Sequence, residues 1–233
     1  SDFLGGIDRF TGIAGEVRNE GVMRAGEVHL AGRRVTNLGD IAADDGMVTM
    51  TAGDEVLIGR RDGHVFVRAE GLGSEANAGG VDQAGSISAG RVRLGSGDLF
   101  SVALRPTSRI TASEVRIEGE GRGTVHVRGS IDASSDDGIG GSVGITGAGL
   151  AVLDADISAS GLLGGGEILI GGGYRGDTSV IDTAERVYVS DQALLRADAI
   201  RSGNGGTVVT WADGAAIFEG NVSVRGGSLL GDG

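Results

Sequence analysis

The tripeptide Arg175-Gly176-Asp177 is the segment whose residues could most directly bind another molecule. Integrins recognise this order of cation, glycine and carboxylate. The tripeptide lies in residues 171–186, a stretch that interrupts the strand pattern of the chain and is typical of a surface loop. Three consecutive glycines precede Tyr174, so a structural turn is the alternative interpretation. Adhesion through Arg175, Gly176 and Asp177 is therefore a hypothesis, and cell attachment after Asp177→Ala would test it.

Calcium binding is the metal chemistry that the acidic residues suggest. The pairs Asp44-Asp45 and Asp136-Asp137 offer carboxylate oxygens of the kind that calcium prefers. However, the calcium-binding β-roll requires tandem copies of Gly-Gly-x-Gly-x-Asp, and residues 95–98 are only a single partial echo of that repeat. Solvated turns are the better interpretation. A melting temperature that stays the same when calcium or a chelator is added would support it.

The histidines do not predict a metal centre either. His29, His64 and His126 lie in or beside strand-like segments, and His126 alternates with Val125 and Val127. His64 and His126 could stack on one face, but two histidines without a third ligand make a poor zinc site. The chain has no cysteine, which excludes thiolate ligands and disulfides. We predict no metal and no cofactor, with the histidines solvated on strands.

The residues predicted to face outward give little evidence that the protein is an enzyme. Enzymes that cleave polysaccharides need converging carboxylates, and their sugar-binding grooves carry aromatic platforms. This chain has 1 Trp and 2 Tyr, and its outward charges, such as Arg93 and Arg116 beside Glu114 and Glu118, are spread along the sequence. We predict that the protein is not an enzyme. A carbohydrate-binding or carbohydrate-cleaving protein is the alternative, and a groove with clustered acids and aromatics would favour it.

Composition narrows the classes of partner. The formal net charge is −12, and the chain has arginine but no lysine. An acidic chain of this kind has no general attraction for nucleic acid. No run reaches the roughly 18 apolar residues that a membrane helix needs. The start of the chain does not resemble a signal peptide. We therefore predict no nucleic-acid partner and no membrane insertion.

Short alternating strands must position these side chains. Segments such as Val92-Arg93-Leu94 and Val115-Arg116-Ile117 place an apolar residue on either side of a polar one, which is the period-two pattern of a strand with one buried face. Clusters of Gly, Asp, Asn or Ser separate the strands, and the chain contains 47 glycines. Helical spacing is not sustained in any segment. The pattern predicts an all-β protein.

A repeat of about 23 residues organises the strands. A unit of polar residue, Ile, polar residue and Ala places Ile87, Ile110, Ile131 and Ile157 at steps of 23, 21 and 26 residues, and Ile41 begins an earlier copy. Three short strands per period predict a right-handed parallel β-helix, in which equivalent strands stack about 4.8 Å apart. We expect Ile41, Ile87, Ile110, Ile131 and Ile157 to form one core ladder. Residues 1–233 are then a single β-helix domain with loop excursions at 70–83 and 171–186.

From Gly140 onward the chain resembles the repeat region of filamentous-haemagglutinin-like exoproteins, the large adhesins of bacterial two-partner secretion. The residues that carry this are GGSVGITGAGLAVLDADISASGLLGGGEILIGGGYRG and, after a variable stretch, VYVSDQALLRADAIRSGNGGTVVTWADGAAIFEGNVSVRGG. The resemblance implies a right-handed β-helix exported to the cell surface or medium. There it would act as a fibre or as an adhesin for a host or cell-surface receptor or glycan. The asparagine-rich motifs of the secretion domain are missing, so this stretch looks like shaft.

The two ends of the chain carry no obvious helical cap. Solenoids usually cover their open cross-sections, because unpaired strand edges recruit other chains. The chain is therefore either a piece of a longer shaft or a subunit that stacks end to end into a filament. We predict a structural or adhesive segment of a secreted bacterial surface protein, located outside the cell or on its surface.

Overall fold

The computed structural model describes residues 8–61, 64–70 and 79–233. In its first half the strands are β1 (Asp8–Thr11), β2 (Glu16–Asn19), β3 (Val22–Arg24), β4 (Glu27–Gly32), β5 (Arg34–Asn37), β6 (Asp40–Ala52), β7 (Glu55–Arg61), β8 (His64–Glu70), β9 (Gly80–Gln83), β10 (Ser86–Ser96) and β11 (Ser101–Leu104). In its second half they are β12 (Arg109–Thr111), β13 (Glu114–Gly119), β14 (Thr124–Asp132), β15 (Ser142–Thr146), β16 (Gly149–Ser158), β17 (Glu167–Ile170), β18 (Arg186–Val189), β19 (Leu194–Arg196), β20 (Thr207–Thr210), β21 (Ala215–Phe218) and β22 (Asn221–Ser223). A 3₁₀ turn covers Tyr174–Gly176. The predicted all-β class is confirmed.

Most of these strands pair in parallel, in three columns that belong to one large sheet. Column A contains β2, β5, β9, β11, the first halves of β14 and β16, β18 and β21. Column B contains β3, the first halves of β6 and β10, β12, the second halves of β14 and β16, β19 and β22. Column C contains β4, the second halves of β6 and β10, β13, β15, β17 and β20. The predicted parallel pairing is confirmed.

Alternation of apolar and polar residues explains why each column buries one face. In β13, Val115 and Ile117 are buried while Glu114, Arg116 and Glu118 alternate with them on the outer face. The inward Val, Ile, Leu and Ala residues of all three columns join in one hydrophobic cluster. Each fully buried aliphatic side chain contributes about 1.5–3 kcal/mol. The parallel columns therefore share a single core.

Close backbone approach explains glycines at the bends between columns. A Cβ built on Gly85 would lie 2.0 Å from the carbonyl oxygen of Gly39, and one on Gly39 would lie 2.0 Å from that of Gly21. No side chain fits at such distances. The glycines that punctuate the sequence thus allow one repeat to lie directly on the next.

A second, smaller sheet departs from the predicted pattern. Strand β7 pairs antiparallel with both β1 and β8. Residues 55–61 and 64–70 therefore do not belong to the parallel columns. The physical reason is the short connection between β7 and β8, because two strands joined so closely can pair only as an antiparallel hairpin.

The excursion predicted at 70–83 overlaps a strand at each of its ends. Glu70 ends β8, and Gly80–Gln83 forms β9, which pairs in parallel with both β5 and β11. Residues 71–78 of that prediction lie outside the described residues. The second excursion fits its predicted bounds more closely, since β17 ends at Ile170 and β18 begins at Arg186.

Candidate functional site

Residues 171–185, which contain the Arg-Gly-Asp tripeptide, fold back onto the outer face of column C. We call this segment the strap. The side chain of Arg116 donates to the backbone oxygen of Val180 at 3.2 Å, and the hydroxyl of Thr146 donates to that of Asp182 at 2.7 Å. Ile181 is buried, and so is Leu169, although it points outward from β17. The strap leaves the run of strands but stays on the surface of the sheet.

Hydrogen bonds to Asp213, in the following repeat, hold the strap in place. We call Thr183, Trp211 and Asp213 the latch. The hydroxyl of Thr183 donates to one carboxylate oxygen of Asp213 at 2.6 Å, and the indole N–H of Trp211 donates to the other at 3.0 Å. These hydrogen bonds from Thr183 and Trp211 lower the pKa of Asp213. The Trp211 ring also lies against Gly176, where a Cβ would come within 3.1 Å of it. One carboxylate thus joins the strap to column C.

The Arg-Gly-Asp tripeptide lies at the exposed turn of the strap. Arg175 adopts a left-handed conformation, with φ of 60°, and its guanidinium lies 5.1 Å from the centre of the Tyr174 ring. The carboxylate of Asp177 accepts the backbone N–H of Ser179 at 2.9 Å, which lowers the pKa of Asp177. Both charged side chains are accessible, yet each already has a partner within the strap.

The isoleucines singled out in the sequence occupy one inward row of column B. Ile87 is the Cα partner of Ile41 on one side and of Ile110 on the other. Ile110 pairs with Ile131, and Ile131 pairs with Ile157. Each of the five is at most 2% exposed. Their place is in the core, so they position the sheet and do not face a ligand.

Sequence analysis missed a buried row of amides in column A. The side chain of Asn19 donates to the Oδ1 atom of Asn37 at 2.8 Å, and that of Asn37 donates to the Oε1 atom of Gln83 at 2.9 Å. The Gln83 amide then donates to the Gly85 carbonyl at 2.8 Å. We call Asn19, Asn37 and Gln83 the amide ladder. Its signal is an amide two residues before a glycine, repeated at 19–21, 37–39 and 83–85.

The predicted metal candidates do not converge. Asp44 and Asp45 lie at the bend inside β6, and Asp136 and Asp137 lie between β14 and β15. Within 8–61, 64–70 and 79–233, no group of three or more His, Asp or Glu side chains is arranged to hold a metal ion. Calcium dependence therefore has no described site to support it.

The histidines lie on three different strands. The Nδ1 atom of His29 is 2.8 Å from the Thr49 hydroxyl in the neighbouring strand. His126 points outward from β14 and is exposed. His64 belongs to β8, and its side chain lies outside the described residues.

Charges along the outer faces pair both across neighbouring strands and within one strand. Arg93 and Arg116 are Cα partners in column C, as the period predicts. The Arg93 guanidinium reaches Glu118 at 2.6 Å, while that of Arg116 lies 3.6 Å from Glu114. Such exposed pairs contribute about 0–1 kcal/mol each. They offset charge along the sheet and do not converge on one point.

The outer face of column A has two depressions. One, of about 330 Å³, is lined by polar residues that include Arg34, Asp82 and Arg105. The other, of about 360 Å³, has Gly149 and Ala151 as its floor, with His126 and Tyr188 on either side. In the first, the Arg105 guanidinium makes two hydrogen bonds of 2.7 Å to the carboxylate of Asp82, which raise the pKa of Arg105.

The inward rows remain uncovered at the strands β21 and β22. Phe218 continues the row of Val189, and Val222 continues the row of Leu195. Both earlier residues are fully buried, whereas Phe218 is 39% and Val222 is 47% exposed. An apolar surface of core type is therefore accessible beside strand edges that have no partner among the described residues.

Comparison with known proteins finds a similar fold among solved structures. No family model matches the chain, and no curated protein matches it. Among solved structures, it is similar to the HMW1 secretion domain from Haemophilus influenzae, with a TM-score of 0.64 and 22% sequence identity. The likeness covers 94% of this chain, and the chain spans 57% of that one. At this identity the likeness concerns the fold. No helix in the described part of the chain is long and apolar enough to cross a membrane.

Proposed function

We propose that this chain is a structural and adhesive segment of an exported bacterial surface protein, built as a right-handed parallel β-helix. The observation that carries the proposal is the register of the three columns, in which residues one repeat apart are Cα partners from β2 to β22. Such stacking produces a stiff rod whose outer faces can vary without disturbing the core. The rod character supports a role as shaft or display surface.

Two further observations support export and family. The fold is similar to that of a protein domain described as a secretion domain. The second half of the sequence resembles filamentous-haemagglutinin-like exoproteins, which implies a place outside the cell or on its surface. We propose membership of that family, with residues 1–233 as one β-helix domain, and no enzymatic activity, cofactor, nucleic-acid partner or membrane insertion.

End-to-end stacking of copies is part of the proposal, and Phe218 makes it testable. In negative-stain micrographs, fibres of the wild-type chain are expected to be lost in Phe218→Glu, because that residue continues an inward row. Ile217→Glu is the matched control, since Ile217 is exposed and points outward from the same strand. Monodisperse particles of wild-type protein at high concentration would contradict stacking.

Adhesion through the strap is tested separately. If Arg175, Gly176 and Asp177 bind an integrin, Asp177→Ala abolishes attachment of integrin-bearing cells to immobilised protein, while Asp136→Ala leaves it intact. Unchanged attachment by Asp177→Ala would remove this route. The intramolecular partners of Arg175 and Asp177 oppose it, because both contacts must be exchanged for contacts with the receptor.

A carbohydrate-binding protein is the second candidate, and one observation favours it. The outer face of column A carries a depression between an aromatic ring and an imidazole. That surface lies apart from the strap, and β21 contributes Ala215 and Ile217 to its lining.

A further inference from the structure

We propose that the outer face of column A binds a single neutral pyranose ring of a glycan in the slot between His126 and Tyr188. The proposal deepens the adhesive role proposed above by naming the chemical class of the ligand, and it rests on that role for its biological meaning.

Strand register creates the slot. Ala151 is the Cα partner of His126 on one side and of Tyr188 on the other, so the two rings stand on alternate strands. Two strand spacings place their Cα atoms about 9.6 Å apart. The methyl group of Ala151 is the floor between them. Two cyclic side chains thus stand on either side of one small residue.

A second row of residues closes the floor and supplies donors. Gly149 has Thr124 and Arg186 as its Cα partners, in the same order across the three strands. The Thr124 hydroxyl can donate or accept, and the guanidinium of Arg186 donates only. Within the described residues the Arg186 side chain has no hydrogen bond or ion pair, so its donors are available to a ligand.

The Tyr188 ring is held in place before any ligand arrives. Its hydroxyl donates to the Oε2 atom of Glu219 at 2.8 Å, and this hydrogen bond raises the pKa of Tyr188. Tyr188 is 36% exposed, and Ile217, on the next strand of the same face, is 56% exposed. A ring already fixed in its bound orientation avoids an entropic cost on binding.

The chemistry of the slot fits a neutral sugar better than an anion. The carboxylates of Glu219, Asp191 and Asp154 lie near enough to Tyr188 to contribute to the raised pKa of its phenol. They repel phosphate or sulfate but accept hydrogen bonds from hydroxyl groups. A pyranose presents C–H groups on its faces, which suit the negative face of an aromatic ring, and hydroxyls around its edge. A depression of about 360 Å³ is in the usual range for a small ligand.

Saturation-transfer-difference NMR with methyl β-D-glucopyranoside, methyl β-D-galactopyranoside and methyl α-D-mannopyranoside tests the slot. Transfer to the ring C–H protons of at least one of these is expected for the wild-type chain. Tyr188→Ala removes one wall, and Ala151→Leu fills the floor with a side chain that points to solvent. Each is expected to weaken binding about five-fold, as loss of one aromatic contact would.

Matched controls exist for both variants. Tyr174→Ala removes the other tyrosine of the chain, which lies on the strap, and Ala103→Leu enlarges the alanine that is the Cα partner of His126 on the opposite side. Both are expected to bind like wild type. The proposal is overturned if no pyranoside shows transfer to the wild-type chain, if Tyr188→Ala and Ala151→Leu bind as tightly as wild type, or if the controls weaken binding equally. Distances between spin labels on neighbouring strands of column B, measured on the same variants, report separately on the stacking of repeats. If sugar binding is absent while these distances are as expected, the proposed structural role is still supported.

Discussion

Column A buries two different kinds of side chain at the same inward position along its length. At its first three strands the last inward position holds the amide ladder of Asn19, Asn37 and Gln83. From β11 to β18 the equivalent position holds aliphatic residues, namely Leu104, Val127, Val152 and Val189. All of these side chains are buried in both regions.

The difference shows what a buried polar row requires. Each amide in the ladder has a partner in the next strand or at the following bend, so few polar atoms are left without hydrogen bonds. The aliphatic region needs only apolar contact, which depends less on the exact register. We infer that the amide ladder fixes the strand alignment more strictly than the aliphatic row does, because a slip by one residue would separate every amide from its partner.

Asn37→Leu is expected to produce the largest effect. It keeps the number and branching of the side-chain heavy atoms but leaves the Nδ2 group of Asn19 and the Oε1 atom of Gln83 without partners. Each buried orphan costs about 1–3 kcal/mol, so the free energy of unfolding is expected to fall by about 2–6 kcal/mol in a urea titration.

Replacing the whole ladder sharpens that result. With Asn19, Asn37 and Gln83 all changed to Leu, no side-chain amide of the ladder is left unpaired, and stability is expected to return close to the wild-type value. A triple variant as unstable as the sum of its three single variants would contradict the role given to the hydrogen bonds.

Leu104→Ala examines the aliphatic region at its border with the ladder. Truncating a fully buried leucine removes apolar contact and leaves a cavity, so unfolding is expected to become easier by about 2–5 kcal/mol. The same urea titration measures it. If Leu104→Ala lowers the free energy of unfolding by less than an alanine substitution at an exposed position does, this part of column A is not packed as described.

Gly85→Ala tests the close approach of repeats beside the ladder. The added methyl group would meet the Gly39 carbonyl, so neighbouring backbone must move, at a cost of about 1–3 kcal/mol. Gly95→Ala is the control, since a Cβ there meets no atom within 4 Å. Equal melting temperatures for the two variants would argue against direct stacking of Gly85 on Gly39.

Acid is expected to release the strap without unfolding column A, and this is the smallest effect. Hydrogen bonds hold the folded pKa of Asp213 below its ordinary value of 3.8, so the latch is complete above that pH and is lost as pH falls through the lower folded value. Trp211 is the only tryptophan, and its emission should shift to the red in that range. Asp213→Asn should show the shifted emission already at neutral pH. Wild-type emission that stays constant in acid would contradict the latch.

The sequence was sufficient to predict the strands of the parallel sheet, because alternation and period act on the same residues. Ile87, Ile110 and Ile131 show an apolar pattern within each strand and a fixed spacing between strands, and both follow from burial in one core. The amide ladder was not predicted, because asparagine is also common in turns. An asparagine can be assigned to the core only when its hydrogen-bond partner one repeat away is known. Its regular place before a glycine was the available signal.

The antiparallel pairing of β7 with β8 and the fold of the strap were harder to predict, because no periodic pattern governs either of them. The dipeptide Asp62-Gly63 between two apolar segments is a hairpin signal in the sequence, and it points to the antiparallel pairing of β7 with β8. The strap could be recognised as a break in the pattern. Its contacts with Thr146 and Trp211 depend on residues far from it in the chain, which local patterns do not reveal.

Distances between spin labels in column B test the stacking of repeats most directly, and the lack of native cysteine allows selective labelling. With one label at position 196, a second label at Ser88, Ala42 or Arg24 lies four, five or six strand spacings away. Pulsed electron resonance is expected to give about 19, 24 and 29 Å, with equal steps of about 4.8 Å. The steps should be equal although Ala42 and Ser88 are 46 residues apart in sequence, whereas Arg24 and Ala42 are 18 apart. A distance that grew with sequence separation, and not by one strand spacing per repeat, would contradict the account.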